Sequence, residues 1–577
     1  MVWLEVGDKN TKFFHNFANQ RQKTNGIQGL RDEANEWCTA ENQVEDIAVN
    51  YFRNMFATSY PTRIAETLTT EDKVVSVESN QRLLQPYTSD EVRVALFQMH
   101  PSKAPGSDGM SSFFFQKYWH IVGDSVSTAV LSVLNSSKLL RKTNLKYISL
   151  IPKKKNPEKM SDYRPISLCN VLYKIISKVL ANRLKTILPV IISDSQSAFV
   201  PGRMITDNVS VAFEVLHKMK AKRKGRKGEM AVKLNMSKAY DCVEWTFVEA
   251  IMRKLSFEEK WIMMIMECIR TVQYSILLDG VPKGYIIPSR GLRQGDPLSP
   301  YLFLLCAEGL SALLQKASLV GQLKGLKTSR LGPCVSHLFF ADDSLLFGKA
   351  SLAESREFLE ILQLYEDSSG QQLNREKTAI FFSPNTPLAT RKSIQDLWGS
   401  SGVQNFDKYL GLPTLISRSK RSIFNGLKER IVRRLQGWKE KFLSKAGREI
   451  LIKVVAQAIP TYTMNCFRLL KTWCDEVNNL IAQYWWGQNT DKRKIHWLKW
   501  DKLCTAKEDG GIGFQNLHMF NTALLSKQCW RLLDNQQSLF FRVFKAKYFP
   551  LCSFLDAKLG STHLSSGAAF YLGENYY

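Results

Sequence analysis

The stretch Val335 to Phe347, VSHLFFADDSLLF, constrains this chain more than any other. Two apolar runs, LFF and SLLF, flank an Asp pair. That pattern predicts two short buried strands joined by a tight turn with Asp342 and Asp343 at its tip. Neighbouring carboxylates at the end of an apolar hairpin repel one another unless a proton or cation lies between them, and hard oxygen ligands of this kind suit Mg2+ or Mn2+. Metal-assisted phosphoryl transfer is the first chemistry such a pair suggests. An Asp-Asp dipeptide is also a common solvated turn, and the stretch alone leaves both readings open.

Composition narrows the partners. At 577 residues the chain is long enough for three or four domains, and 44% hydrophobic residues can supply their cores. Lys and Arg outnumber Asp and Glu by 79 to 53, a net charge of +26, so the field around the protein attracts polyanions and nucleic acid is the leading partner class. An anionic membrane could use the same charge. No apolar run approaches the roughly 18 residues of a spanning helix, however, and MVWLEVGDKN does not read as a signal peptide, so the expectation is an intracellular protein with no membrane partner. The 11 cysteines form no C-x-x-C pair and do not cluster with the eight histidines, which favours reduced thiols over disulfides or a zinc site. Walker, GxGxxG and GxSxG motifs are missing, leaving P-loop, dinucleotide and α/β-hydrolase chemistry unsupported.

Residues 1 to about 90 read as mostly helical. Phe13, Phe14 and Phe17 at helical spacing make a buried stripe or, interleaved with Lys and Arg, a base-stacking face. The Thr- and Ser-rich stretch from Thr58 to Asn80 reads as a linker. SDEVRVALFQM begins a helix that Ser89 is placed to cap, and Pro105, Gly106 and Gly109 then force a turn. YISLIPKKKNPEKMSDYRPISL reads as two strands around a basic hairpin. It is either a flap over a triphosphate or a solvated loop at Lys153, Lys154 and Lys155. Leu172 to Leu188 has a strong helical period with Lys174, Lys178 and Lys185 on the other side, and a second helix spans about Thr206 to Lys220. The run AKRKGRKGE after it is a localisation signal, a phosphate contact or a mobile loop.

The ordered set DYRPISL, QSAFVPGR, SKAYD, GLRQGDPLSP, FADDSLLF, LNREKT and YLGLP resembles the reverse transcriptase of non-LTR (LINE-type) retrotransposons, particularly the plant kind. The resemblance covers nearly the whole chain, and seven motifs in order are far more specific than any one. It implies an α+β right-hand polymerase of fingers, palm and thumb with helical N- and C-terminal extensions. The expected division is an N-terminal extension over 1–87, fingers and palm over 88–417, a helical thumb over 418–484, and a truncated C-terminal region over 485–577. It further implies an RNA template, a DNA primer, deoxynucleoside triphosphates, two Mg2+ or Mn2+ ions and a nuclear location.

By resemblance, Asp342 and Asp343 hold metal, and Arg164 contacts the triphosphate. Gln294 and Gly295 line the incoming nucleotide, Tyr240 packs under the sugar and excludes a 2′-hydroxyl, and Lys377 protonates the leaving group. One position departs from the family. An Asp is expected at the end of the first palm strand, five residues before the aromatic gate, and here Asn235 stands there. Asn has the same size but is neutral, offering one carbonyl oxygen where two anionic oxygens are wanted. Changes beyond the direct ligands already cost roughly 10 to 100-fold in affinity or activity, so the loss of a bridging charge should cost more. Asp241, six residues on, lies past the strand end and should not substitute.

From about Arg418 two amphipathic helices are expected, with Ile423, Leu427, Ile431 and Leu435 as a stripe and Pro460 closing the second. Arg430, Arg433, Arg434 and Lys439 lie off that stripe, as a grip on a duplex backbone requires. The family often continues into a Cys/His zinc-binding region and carries an endonuclease, neither of which the sequence has, so the resemblance implies part of a longer polyprotein. The competing expectations are an active RNA-directed DNA polymerase, a catalytically dead nucleic-acid-binding relic marked by Asn235, and an intron-maturase-like RNA-binding protein.

Overall fold

The structure is a computed structural model that describes residues 15, 19–20, 25–71, 73–399, 406, 408–414, 420–436, 443–487 and 495–557. Helices and strands are mixed along its length. The elements that matter here begin with β1 (Leu30–Arg31), β2 (Trp37–Cys38), α1 (Glu41–Met55), α2 (Ser89–Phe97), α3 (Trp119–Ser136), β3 (Leu145–Pro152), β4 (Tyr163–Leu168) and α4 (Val171–Lys185). Next come α5 (Ile205–Ala221), β5 (Glu229–Ser237), α6 (Trp245–Lys254), α7 (Glu259–Arg270), β6 (Gln273–Leu278), β7 (Val281–Ile286) and α8 (Ser299–Leu319). There follow β8 (His337–Phe340), β9 (Asp343–Lys349), α9 (Leu352–Ser369), β10 (Gln372–Leu373), β11 (Ala379–Phe382), α10 (Lys420–Gln436), α11 (Lys471–Trp486), α12 (Leu517–Asp534) and α13 (Leu539–Tyr548). Two compact units share the chain: Met1–Gly202, Leu234–Gln322 and Arg356–Arg375 form the first, and Arg203–Lys233, Leu323–Ser355 and Glu376–Tyr577 form the second.

The first unit is built on a four-stranded sheet in the order β4-β3-β6-β7. Strand β3 runs antiparallel to β4 and parallel to β6. Ile148 and Leu150 of β3 and Tyr274, Ile276 and Leu278 of β6 alternate inward, as a half-covered sheet demands. Asp279 and Gly280, both at positive φ (50° and 90°), make the tight β6–β7 turn. Helices α2, α3 and α4 pack on one another, and α8 packs against α6. By length and composition α8 could cross a bilayer, although no such run was expected from the sequence; 78% of its apolar window is buried, marking it as a core helix of this unit.

In the second unit the hairpin β8–β9 lies beside β5, whose residues Met230–Lys233 pair antiparallel with Phe382–Ala379 of β11. Val211, Leu216 and Met219 of α5 join Leu338, Leu345 and Phe347 of the hairpin and Phe540 and Phe544 of α13 in one core. A second core gathers Phe424 and Ile431 of α10, Trp473 and Ile481 of α11, and Leu517 of α12. Ile431 and Leu435 of the expected stripe are buried, while Arg430, Arg433 and Arg434 face solvent. Arg531 and Lys547, on α12 and α13, pair with Asp207 and Glu214 of α5. Segments from both ends of this unit's sequence therefore share its cores.

The expectation of a mostly helical stretch to residue 87 holds among the described residues, which are helical at 15, 19, 20 and 25 and over Glu41–Met55, Ile64–Leu68 and Val77–Leu83, with the short β1–β2 ribbon between them. Several other expectations are corrected. Thr88, not Ser89, caps α2. Its hydroxyl accepts from Glu91 N at 3.3 Å while Glu91 Oε2 accepts from Thr88 N at 3.0 Å, because Thr-x-x-Glu spells a reciprocal cap one residue earlier. The stretch 58–80 is pinned rather than loose: Thr58 and Ser59 donate to the buried Glu244 carboxylate at 2.7 to 2.9 Å, and Thr67 pairs with Ser368. On α4 the basic side is only partly open to solvent: Lys178 and Lys185 are half-buried, while Lys174 is buried and donates to Ala104 O at 3.2 Å. The basic run after α5 is clamped, with the Asn385 side-chain amide donating to the carbonyls of Lys224, Gly225 and Lys227. The second thumb-like helix covers only Lys445–Leu451, widens into a π turn at Ile452–Ala456, and Pro460 opens the next helix instead of closing this one. Phe13, Phe14, Phe17, Lys439 and the side chain of Ile423 lie outside the described residues.

Candidate active site

In the second unit, β8 and β9 pair from His337↔Leu346 to Phe340↔Asp343, leaving Ala341 and Asp342 as a two-residue turn. Asp343 thus belongs to the strand, and only Asp342 is in the turn proper. Ala341 takes φ 54°, a left-handed conformation that costs a non-glycine residue about 1 kcal/mol. Leu338, Phe339, Leu345, Leu346 and Phe347 are buried and hold the hairpin stem, while Asp342 is exposed and Asp343 half-buried at its end.

Burial pushes the Asp343 carboxyl above its usual range, the Asp342 charge adds to this, and Lys233 opposes it. The stem is tied down by groups to which sequence pattern assigned no role. The Asn208 side-chain amide donates to Phe339 O at 2.8 Å, and Tyr409 Oη donates to Asn208 Oδ1 at 2.7 Å. The segment that carries Tyr409 is itself held on both sides of it: the Lys233 ammonium donates to Lys408 O at 2.9 Å, and Tyr462 Oη donates to Leu410 O at 3.0 Å. Burial, reinforced by the Asp343 charge, holds the Tyr409 hydroxyl protonated, which keeps it a donor. Asn208 was legible only as a residue near the start of the expected second helix and Tyr409 only as part of YLGLP; nothing local announced that they would meet. Lys377 is exposed in the turn Arg375–Lys377.

The first unit holds the other predicted residues. Arg164 is exposed on β4, opposite Ile151 of β3. Farther along the same strand, Ser167 N donates to Gln294 O at 2.9 Å, which joins the strand of Arg164 to the loop before α8. In that loop Gly295 has φ 112°, and a Cβ there would lie 2.8 Å from Ser167 O, so only glycine fits. Leu292 N donates to Tyr240 O at 2.7 Å, and the half-buried Tyr240 ring stacks on Phe303 with centroids 4.5 Å apart. The unit therefore links β4 to the Gln294–Gly295 loop, and that loop to Tyr240. Asn235 is exposed on β5, and its carbonyl accepts from Asn374 N at 2.8 Å. Asp241 is buried in the turn after β5, and burial raises its carboxyl to about 7 against the pull of Lys238 and Lys153.

A buried ionic cluster fixes the same loop. Asp296 Oδ2 accepts from Tyr173 Oη at 2.5 Å and from Arg293 Nη1 at 2.9 Å, and its Oδ1 accepts from Leu298 N at 3.0 Å. Lys146 Nζ lies 3.5 Å from Asp296 and 3.3 Å from the centre of the Tyr173 ring. Burial, then the charge of Arg293, lowers the Lys146 ammonium to about 8. Burial alone would raise the Asp296 carboxyl, but Lys146 and Arg293 hold it below its usual range.

A mixed helix-and-strand fold, with a carboxylate pair on a hairpin and a glycine-bearing loop beside an aromatic stack, is consistent with an α+β polymerase-like domain. Residues 151–414 match the family model described as reverse transcriptase (RNA-dependent DNA polymerase). The chain is 26% identical over 518 residues to the uncharacterized 149 kDa protein of transposon TX1 from Xenopus laevis, covering 88% of this chain and 38% of that protein. It is 25% identical over 384 residues to the Pol polyprotein from the type-2 retrotransposable element R2DM of Drosophila melanogaster, covering 64% and 33%. An uncharacterized mitochondrial protein of Arabidopsis thaliana is 42% identical over 105 residues, covering 18% of this chain and 68% of that protein. The chain carries a reverse transcriptase domain of the non-LTR retrotransposon kind. It spans well under half the length of the TX1 and R2DM proteins.

Proposed function

We propose that this domain belongs to an RNA-directed DNA polymerase that extends a DNA primer on an RNA template, and that Asn235 impairs it. The observation that supports the reading most is the Asp342–Asp343 hairpin inside the matched stretch 151–414. The proposed division is fingers and palm over 88–417 and thumb over 418–484, between an N-terminal extension over 1–87 and a C-terminal region over 485–577. The family resemblance, with the charge of +26, supports a nuclear location and a polyanionic substrate.

The donor chemistry fits a divalent cation in part. Two adjacent carboxylates offer hard oxygens, and the raised Asp343 carboxyl reflects burial beside a like charge, which a cation would relieve. Among the described residues, no group of three or more His, Cys, Asp or Glu side chains could hold a metal ion. Bound there, divalent ions would supply an acidified primer 3′-hydroxyl and neutralise charge on the phosphates. The protein's own groups have separate proposed tasks. The Arg164 guanidinium orients the triphosphate through a bidentate contact, and Tyr240, backed by Phe303, sets the floor under the sugar. Gln294 and Gly295 shape the nucleotide's seat, and Lys377 delivers a proton to the departing pyrophosphate. Asn235, at the end of the strand where the resemblance expects an Asp, offers a neutral amide oxygen in place of a carboxylate.

Primer extension tests the reading, with oligo(dT) on poly(rA) and Mg2+. Expected is weak extension that Asp342→Ala abolishes and Asn235→Asp raises by at least about 10-fold. Extension unchanged by Asp342→Ala would refute the polymerase assignment. Robust extension that Asn235→Asp leaves unaltered would refute the impairment. A protein that binds primer–template but extends nothing, even as Asn235→Asp, would favour the nucleic-acid-binding relic, a reading that the neutral side chain at 235 itself supports.

A further inference from the structure

We infer that Arg531 of α12 is a positioning residue for the Asp342–Asp343 hairpin: it fixes Asp207 at the start of α5 and, through the next residue, Asn208, sets where the first strand of the hairpin sits. Every group in this relay belongs to the second unit. The role rests on the task proposed above for the Asp pair, and it draws in a helix that lies beyond the matched stretch 151–414.

Three contacts in series make the relay. Arg531 grips Asp207 in a fork, Nη1 donating to Oδ1 and Nη2 to Oδ2 at 2.8 Å, and the two side chains are only 17% and 13% exposed. Asp207 Oδ2 also accepts from Met204 N at 3.0 Å, so the same carboxylate closes the first turn of α5. Next to it, the buried Asn208 donates its amide to Phe339 O at 2.8 Å and accepts from Tyr409 Oη at 2.7 Å. Phe339 pairs with Ser344, one rung below the Phe340↔Asp343 pair that ends the stem. A shift of Asn208 therefore passes to the carboxylates across a single rung of the ladder.

The packing around the relay explains why charged groups are needed. Val211, Val215 and Met219 of α5 share a core with Leu338, Leu345 and Phe347 of the hairpin, and such apolar contact has no direction. A slip of α5 by one turn would move Asn208 about 5.4 Å along the helix axis and away from Phe339. A largely buried ion pair is a weak source of net stability but a good source of register. Helix α5 carries two of them, seven residues apart and so on one face: Asp207 with Arg531, and Glu214 with Lys547, where Tyr548 Oη also donates to Glu214 at 2.9 Å. The C-terminal helices thus hold one face of α5 while Asn208, Val211 and Val215, on the neighbouring face, meet the hairpin. Catalytic constellations tolerate errors of only about 0.5 Å, so register at this helix is register at the carboxylates.

Hydrogen–deuterium exchange of the full chain reads the hairpin without requiring turnover. Arg531→Ala is expected to speed exchange of the peptide from Val335 to Phe347 at least about 10-fold while α11 keeps the parent's rate, and Arg531→Lys to restore part of the protection. Lys527→Ala, exposed on the same helix, should match the parent. In an Asn208→Ala background, Arg531→Ala is expected to add nothing further to hairpin exchange, because the relay is already cut. Hairpin exchange within about two-fold of the parent in Arg531→Ala, or an Arg531 effect that persists in full without Asn208, would overturn the inference. So would equal gains in the hairpin and α11, which would make Arg531 a tie of the whole unit; if the alanine variant does not fold, Arg531→Lys reads the same comparison. In the Asn235→Asp protein, Arg531→Ala should also raise the Mg2+ needed for half-maximal primer extension roughly 10-fold and leave primer–template affinity unchanged. An unaltered Mg2+ requirement would count as refutation. Should no form extend primer, the polymerase reading falls while hydrogen exchange still decides the positioning role.

Discussion

Lys146 should weaken the fold it is buried in, and replacing it with Met should stabilise the first unit. The ammonium is fully buried, near Asp296 at 3.5 Å but also near Arg293, which makes the shorter contact of 2.9 Å to the same carboxylate. Attraction to Asp296 would favour the charged form; burial and repulsion from Arg293 oppose it and win, lowering the ammonium from 10.5 to about 8. That difference corresponds to roughly 3 kcal/mol. The sign follows from proton linkage. Between pH 8 and 10.5 the unfolded chain holds a proton that the folded chain has released, so this residue's unfavourable contribution is complete below pH 8 and fades as pH rises to 10.5. Lys146→Met keeps the volume and leaves Arg293 and Asp296 as a balanced pair, so up to about 3 kcal/mol should be gained at pH 7 and little at pH 10.5. Asp296→Asn removes the acid that two buried cations share and should cost about 3–5 kcal/mol. Urea unfolding followed by near-UV circular dichroism, as midpoint against pH, reads all three proteins. A Lys146→Met variant with the parent's pH dependence, or one destabilised at pH 7, would refute the reasoning.

Gly295→Ala should place a methyl 2.8 Å from Ser167 O at φ 112° and cost about 1–3 kcal/mol, read as a lower melting temperature together with weaker nucleotide binding. Ala341→Gly relieves a left-handed alanine and should raise the melting temperature by the equivalent of up to about 1 kcal/mol; a drop would show that the turn needs the alanine for packing. Asn208→Ala strands the Phe339 carbonyl and the Tyr409 hydroxyl and should cost about 1–3 kcal/mol, whereas the double variant with Tyr409→Phe should lose less than the sum of the two single changes.

The parts of this architecture that rest on short-range pattern were legible in the sequence. The apolar runs around Asp342 and Asp343 form the expected hairpin, and the two strands around Lys153 to Lys155 pair as expected, because alternation and turn chemistry act over short spans of chain. What was hidden depends on partners far away in the chain. Lys174 and Lys146 look like solvent-facing cations until the elements that enclose them are known. Asn208 looks like a helix-start residue until Phe339 and Tyr409 arrive from 131 and 201 residues downstream. Thr58 to Asn80 has the composition of a linker, and only the distant Glu244 and Ser368 reveal it as fixed. The seven motifs carried the family assignment because their order encodes the tertiary contacts that local periodicity omits.

Neither compact unit is a contiguous length of polypeptide: the first is closed by Arg356–Arg375, and the second begins at Arg203 and ends with the C-terminal helices. During synthesis the ribosome must therefore deliver residue 375 before the first unit is whole, while Asp207 of α5 waits for Arg531 of α12, 324 residues later, to reach it. No simple cut of the gene yields either unit intact, and a premature stop anywhere before α12 leaves both the hairpin core and α5 without their cover.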